Sequence, residues 1–200
     1  MTTDADEIPN LYERHAAAFD RRRSRALFEK GWLDLFLQAM GIGASVLDLG
    51  CGSGEPMARY LIRRDCAVTG VDTAASLVAL CQERFPDEHW IIGDMRQISL
   101  GPRFDGALAW DSFFHLTAAD QRAMFSIFEM HVAQGGALMF TSGPKAGEAL
   151  GSFEGETLYH ASLDPAEYRA LLDRHGFDAL AHIAEDPDCG GHTVWLARKR

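Results

Sequence analysis

The stretch Val46-Leu47-Asp48-Leu49-Gly50-Cys51-Gly52-Ser53-Gly54 sets glycines at alternating positions directly after a short apolar run. Alternating glycines let the backbone turn sharply and let a ligand touch the main chain with no side chain between. Twenty-two residues after Gly50, Asp72 closes a second apolar run, where a carboxylate can accept both hydroxyl protons of a ribose. As an alternative, Asp72 would simply cap the helix that begins near Ala74. Gly93-Asp94-Met95 follows a third run; an aspartate there can accept from an exocyclic amine while an apolar neighbour packs on a purine face. A lone GxGxG is common by chance as a turn without a ligand. Three such features at the ends of three successive strands converge on one edge of a sheet, and open α/β sheets bind ligands at that edge.

The hydrophobic periodicity supplies the elements that must hold these residues. From Leu11 to Met40 the pattern is helical, with Leu27, Phe28, Trp32, Leu35, Phe36 and Ala39 at three- and four-residue steps until Gly41 and Gly43 stop it. The polar, acidic start from Met1 to about Pro9 is expected to fray. Ser45–Leu49, Ala67–Val71, Trp90–Ile92, Phe104–Trp110 and Gly136–Thr141 then read as strands. Helices are expected between them over Pro56–Arg63, from Ala74 to Phe85, and around Met124, Ile127 and Phe128. Unbroken alternation from residue 45 to about 141 predicts a parallel sheet with helices on both faces. Ser142–Ser162 is rich in glycine and poor in periodicity; it reads as a disordered or a binding loop, with Phe153 and Tyr159 favouring binding. Pro165–His175 reads as a helix closed by Gly176. Ala179–Ala184 and Thr193–Ala197 read as strands joined closely enough for a hairpin, which turns the final strand antiparallel to its neighbour.

The 200 residues are 47% hydrophobic and 24% charged, which fits one globular domain and excludes disorder and fibres. Twenty-nine acidic against nineteen basic residues give a formal charge of −10, which repels a phosphate backbone. The cluster Arg21, Arg22, Arg23 and Arg25 reads as a solvated helix face. No apolar run approaches a membrane span, and the first thirty residues carry no export signal. Cys51, Cys66, Cys81 and Cys189 are too far apart for a CxxC motif and read as reduced thiols of a cytoplasmic protein. None of the eight histidines pairs at ligand spacing, so no metal site is expected.

In combination, VLDLGCGSG, VTGVD and IIGDM resemble the class I S-adenosylmethionine-dependent methyltransferases of the small-molecule type, over roughly residues 10 to 198. The resemblance implies a Rossmann-like, doubly wound α/β fold with a seven-stranded sheet, mostly parallel with the last strand antiparallel, and helices on both faces. Within this one domain it marks a helical lid (1–43), a cofactor-binding core (44–141), a substrate loop (142–162) and a C-terminal helix and hairpin (163–200). By the same resemblance, Gly50, Cys51, Gly52 and Gly54 approach the amino-acid part of S-adenosylmethionine, and Asp48 lies beneath their turn. Asp72, followed by Thr73, would hold the ribose diol; Asp94 would take the adenine amine, and Met95 would flank the ring. Trp110 would lie near the adenosine or methionine part, and Tyr12 would reach the methionine end from a lid helix. Packing of one helix face on the sheet explains the spacing of Tyr12 and Phe19 equally well. The rival nicotinamide or flavin dinucleotide fingerprint needs glycine or alanine at the sixth position of GxGxxG, where this chain has Glu55.

Methyl transfer from a sulfonium is an in-line displacement with a leaving group already activated by its positive charge. Alignment and removal of solvent then supply much of the catalysis, and a base matters only for a nucleophile that must lose a proton of high pKa. The stretch Trp110-Asp111-Ser112-Phe113-Phe114-His115-Leu116 follows the fourth strand at the ligand edge. A histidine there resembles a base, which makes His115 the candidate catalytic residue, taking a proton from the acceptor or positioning it; packing of the next helix is the alternative. Phe114, Tyr159 and His160 are candidates for the acceptor pocket, whereas His192 and Trp195 read as structural. WDSF stands where amino-methylating DNA enzymes carry Pro-Pro-Tyr or Pro-Pro-Phe, and no cysteine set suits arsenic, which leaves a small metabolite as acceptor. A protein that binds the cofactor as a sensor without turnover is the alternative from another class.

Overall fold

The computed structural model describes residues 3–41, 43–101 and 103–200. Strand β1 (Ser45–Leu49) is almost wholly buried, as a central parallel strand with both faces covered must be. It pairs in parallel with β2 (Ala67–Asp72) on one side and β4 (Phe104–Ala109) on the other. With β3 (His89–Ile92), β5 (Val132–Ser142), β8 (Phe177–Asp186) and β9 (His192–Lys199) they form a seven-stranded sheet ordered β3-β2-β1-β4-β5-β9-β8. Strand β9 runs antiparallel to both of its neighbours, and the other recorded pairs are parallel, as expected.

Side chains on β1 alternate between two cores. Val46 joins the layer of Trp32, Phe36, Leu61 and Val78 beneath α3 (Lys30–Met40), α4 (Met57–Ile62) and α5 (Ala75–Arg84). Leu47 and Leu49 join the aromatic layer of Phe113, Phe125, Phe128 and Trp195 beneath α6 (Ala118–His131) and α7 (Pro165–Arg174). Gly106 in β4 lets α3 lie close, since a Cβ there would sit 2.7 Å from Phe36 Cζ. Among the described residues, no helix is long and apolar enough to cross a membrane.

Three expectations need correction. Met1 and Thr2 lie outside the described residues, but from Asp4 the start is helical rather than frayed: the Thr3 N–H donates to Asp6 Oδ2 at 2.8 Å. Asp4, Asp6 and Glu7 in that first turn complement the positive end of the helix dipole. The helical run to Met40 is split into α1 (Asp4–Arg14), α2 (Ala16–Arg22) and α3, with His15 non-helical between the first two and Leu27 at φ 52° before the third. Ser142–Ser162 is no loop for most of its length but a hairpin of β6 (Gly147–Phe153) and β7 (Glu156–Ser162). Its two-residue turn sets Glu154 and Gly155 at positive φ, 51° and 85°, the geometry that tight hairpins require. Period-2 patterning is missing because β6 is exposed on both faces, while β7 buries Tyr159 and Ala161 against Ile8 and Tyr12 of α1, and Ser162 at its own end.

The hairpin and the first two helices meet over the carboxyl edge of the sheet. Arg14 and His15 pair with Glu156, Arg22 pairs with Glu154, and Phe153 stacks on Tyr12. On the other flank, Arg84 on α5 forks onto Asp20 at 2.6 and 2.7 Å, and Ser76 bonds Glu13. Fully buried Gln121 ties the hairpin to the body: its Nε2 donates to Leu116 O (2.9 Å) and Ala161 O (2.8 Å), and its Oε1 accepts from Tyr168 Oη (2.6 Å). Gln121→Leu fills the same space but strands these buried partners, so a loss of about 2–3 kcal/mol is expected in urea unfolding.

Candidate functional site

Beyond β1 the chain turns at Gly50 (φ 76°), where the N–H groups of Gly50 and Cys51 both reach Val71 O at 2.8 and 3.1 Å. A Cβ at Gly50 would lie 2.2 Å from Ser112 Cβ, and Ser112 donates to Leu49 O at 2.6 Å. The turns after β1 and β4 are thus packed against each other with no room for a side chain. Gly52 N donates to Asp72 Oδ2 and Ala74 N donates to Asp72 Oδ1, both at 2.9 Å. Asp72 therefore fixes the glycine turn and the approach to α5 together, though α5 itself starts without a side-chain cap, and burial raises the Asp72 pKa. Each of its oxygens retains acceptor capacity beyond the one N–H it takes.

A cavity of about 100 Å³ opens at this edge, walled by Gly50, Gly52, Asp72, Thr73, Asp94 and Met95. Tyr12 and Phe19 close it from the lid side, and Asp111 and His115 from the turn after β4. The sequence reading did not single out Arg96 and Asp120, which also line it. Arg96 Nε reaches both Asp94 oxygens at 3.0 Å, and its Nη1 reaches Asp120 Oδ2 at 3.0 Å. Burial alone would raise the Asp94 carboxyl, but the bonds from Arg96 carry it below the ordinary range. No spacing rule signals this partner, two residues beyond Asp94.

Some residues singled out in the sequence lie elsewhere. Cys51 and Gly54 are not among the cavity walls: the Cys51 thiol lies beside Gly70 in the core, and a Cβ on Gly54 would meet the Phe85 ring at 2.8 Å. Asp48 lies beneath the turn, fully buried, where loss of solvent and then the Asp72 charge push its pKa up to about 7. Trp110 also stays outside the cavity; its buried ring lies over His192, centroids 5.4 Å apart, with no partner for Nε1 among the described residues.

The second group of candidates gathers around His115. Tyr12 Oη lies 2.9 Å from His115 Nε2, and Tyr159 O lies 2.8 Å from His115 Nδ1. Burial pushes the His115 pKa down to about 4, so the ring is neutral near pH 7. His160 stands 4.8 Å from His115 and 5.1 Å from Phe114, ring centre to ring centre. Phe114 and His160 line a second cavity of about 330 Å³ at the base of the hairpin, which Tyr159 does not line. Tyr159 is buried, and its hydroxyl donates to Glu148 at 2.7 Å.

Arg23 corrects the reading of the arginine cluster as a solvated face. It is largely buried and bridges Asp111 (2.8 Å) and Glu29 (3.3 Å). His192, expected to be structural, joins this group: Nε2 forms an ion pair with Asp111 Oδ1 at 2.9 Å, and its ring lies between Phe28 and Trp110. Asp111 itself sits at φ 50°, a strained conformation at the cavity rim.

Residues 46–136 match the family model of the methyltransferase domain. The dTDP-3-amino-3,6-dideoxy-alpha-D-glucopyranose N,N-dimethyltransferase of Streptomyces fradiae is 35% identical over 98 residues, which cover 48% of this chain and 38% of that protein. The malonyl-[acyl-carrier protein] O-methyltransferase of Serratia marcescens is 24% identical over 192 residues, 91% of this chain and 72% of the relative. Among solved structures, an amino pentose methyltransferase from Micromonospora echinaspora with S-adenosylmethionine bound shares the fold, with a TM-score of 0.73 and 22% identity over 94% of this chain and 96% of that one. Fold and cavity thus define an open, doubly wound α/β domain with a cavity at the carboxyl edge of its sheet. The methyltransferase-domain model matches β1 to β4 and the start of β5, and over nearly its whole length the chain is similar in fold to solved methyltransferases.

The Asp111–His192 pair has a pH signature. Asp111 raises the His192 pKa against burial, while His192 and Arg23 together overcome burial and lower that of Asp111. The histidine's share of stability is full below its unfolded pKa, about 6.5, and fades as pH rises through the higher folded value. The aspartate's share is present above its unfolded pKa, about 3.9, and is lost as pH falls through the lower folded value. Thermal melting should therefore show the protein losing stability as pH rises above about 6.5, and His192→Gln should flatten that decline.

Proposed function

We propose that the protein transfers a methyl group from S-adenosylmethionine to a small-molecule acceptor by in-line displacement, in the cytoplasm. The observation that carries this reading is the joint geometry of the bare main chain at Gly50 and Gly52 and the Asp72 carboxylate that grips it, on one cavity wall with Asp94 and Met95. Those residues fit the ligand. Asp72 keeps acceptor capacity for a ribose diol, Asp94 is an ionised acceptor for an amine, and Met95 and Ile8 offer apolar surface to a purine. Free thiols at all four cysteines accord with a reducing compartment.

When bound, S-adenosylmethionine supplies a methyl group on a positively charged sulfur. The cavity of about 100 Å³ is smaller than the roughly 300–1,000 Å³ of small-molecule sites. Tyr12 and Phe19 must therefore shift to admit a ligand, and their return excludes water. His115 acts by positioning: it is neutral, and its Nε2 is engaged with Tyr12. The second cavity, with Phe114 and His160, would receive the body of the acceptor. A small acceptor accords with one relative, which acts on a nucleotide-linked amino sugar, whereas the other is named for malonyl-[acyl-carrier protein].

Calorimetry with S-adenosylhomocysteine is expected to show binding, and Asp72→Ala should weaken it about a hundredfold, since bonds to a charged group contribute about 1.5–3 kcal/mol each. His115→Gln should keep that affinity while lowering turnover of methyl-labelled S-adenosylmethionine with a metabolite extract. Binding without label in any product across a broad panel would favour a sensor instead.

A further inference from the structure

The hydrogen bonds around His115 have a fixed direction. The Tyr159 carbonyl can only accept, so His115 Nδ1 carries the ring hydrogen at that 2.8 Å contact. A neutral ring then presents a bare lone pair at Nε2, and the Tyr12 hydroxyl spends its only proton there, at 2.9 Å. Tyr12 lines the cavity, and its oxygen is left able only to accept. Whatever stands against it must bring a hydrogen.

Resting on the methyltransferase reading above, we infer that the acceptor nucleophile is the nitrogen of a neutral primary or secondary amine, which donates one N–H to the Tyr12 oxygen and keeps its lone pair for the methyl group. A carboxylate or thiolate has no hydrogen to give. It also faces Asp72, Asp94, Asp111 and Asp120 across the cavity, against the single lining guanidinium of Arg96. A hydroxyl can donate to Tyr12, but methylation of a hydroxyl requires its proton to leave, and the imidazole and carboxylates that line the cavity are weak bases for a proton of such high pKa. His115 is a weak base with its lone pair engaged. Among the carboxylates, Asp72 is bonded by Gly52 and Ala74, Asp94 and Asp120 by Arg96, and Asp111 by Arg23.

An amine needs no base during transfer. Its lone pair forms the N–CH3 bond as the methyl–sulfur bond breaks, and that electron pair stays on sulfur. Positive charge passes from sulfur to nitrogen, where the lining carboxylates stabilise it, and the extra proton leaves with the product for solvent. Because an N–H is needed at Tyr12, a primary amine can take two methyl groups, and the resulting tertiary amine cannot take a third.

The full-length protein is incubated with methyl-labelled S-adenosylmethionine and three pools matched in carbon skeleton: amines, alcohols and carboxylic acids. Label is expected in the amines alone, stable to base, with at most two methyl groups added per nitrogen. For the best amine, kcat/KM should rise with pH up to the pKa of the acceptor itself. Asp111 and His160 face His115, and Asp111, Asp72 and Arg23 face Tyr12, yet none of them supplies a base that would move this limb. Tyr12→Phe should lower kcat/KM for the amine roughly tenfold, the worth of one hydrogen bond, with a larger effect on KM than on kcat. Base-labile methyl esters, labelled alcohols, a quaternary product, no labelled amine, or a rise that ends at a histidine pKa would each overturn the inference while S-adenosylhomocysteine binding stands. Absence of that binding would instead remove the methyltransferase reading, and this inference with it.

Discussion

Main chain against main chain at the carboxyl end of β1 is the constraint on which this site depends. The turn at Gly50 and the turn at Ser112 approach until a Cβ would fall 2.2 Å from its neighbour, and one hydrogen bond from Ser112 to Leu49 O closes the contact. Positive φ at Gly50, Gly52 and Gly54 makes the bend affordable only for residues without a side chain. Asp72 then locks the result by accepting from Gly52, so the group that would meet the sugar also sets the shape of the loop that would meet the amino acid. Ligand recognition and loop geometry are coupled through one carboxylate.

The topology explains why that contact lies open to a ligand. After β1 the chain crosses to α4 beneath the Trp32–Phe36 layer, and after β4 it crosses to α6 beneath the Phe113–Phe128 layer. Two adjacent parallel strands whose connections leave to opposite faces part at their carboxyl ends, and a crevice results. Sheet and flanking helices cannot cover it themselves. The cover comes from α1 and α2 before the first strand and from the β6–β7 hairpin after the fifth, joined by Arg14, His15 and Arg22 with Glu156 and Glu154. Exposed ion pairs of this kind hold weakly, about 0–1 kcal/mol each, so the cover is held lightly over the crevice.

What was legible in the sequence tracks how local the physics is. The parallel core and the reversed last strand were readable because each buried strand carries its own apolar run, and the turns after β1 and β3 carry glycines. That Asp72 and Asp94 would share one edge of the sheet was readable because each stands at the end of its strand. The hairpin was not, since β6 is exposed on both faces and owes its pairing to the Glu154–Gly155 turn and to α1. Nor were the roles of Arg23 and Arg96, whose partners Asp111 and Asp120 lie 88 and 24 residues away along the chain. Trp110 was misread for a related reason: it ends β4 beside the site, but its ring goes to the α3 side of the sheet, over His192.

The rim at Asp111 shows what the long-range partners contribute. A non-glycine residue at φ 50° is strained, and it stays there because Thr141 accepts its N–H at 2.9 Å while Arg23 and His192 hold its carboxylate. Those three come from the strand after α6, the lid region and the last strand, so the rim reports on whether all three are assembled. Glu29 draws on the same cation: it is buried, one oxygen takes Arg23 at 3.3 Å, and the other has no partner among the described residues. Arg23 is therefore shared between a fully buried carboxylate and one that faces the cavity. Movement of the lid that carried Arg23 away would leave both carboxylates without their cation, so closure of the lid is favoured from behind the site as well as across its mouth.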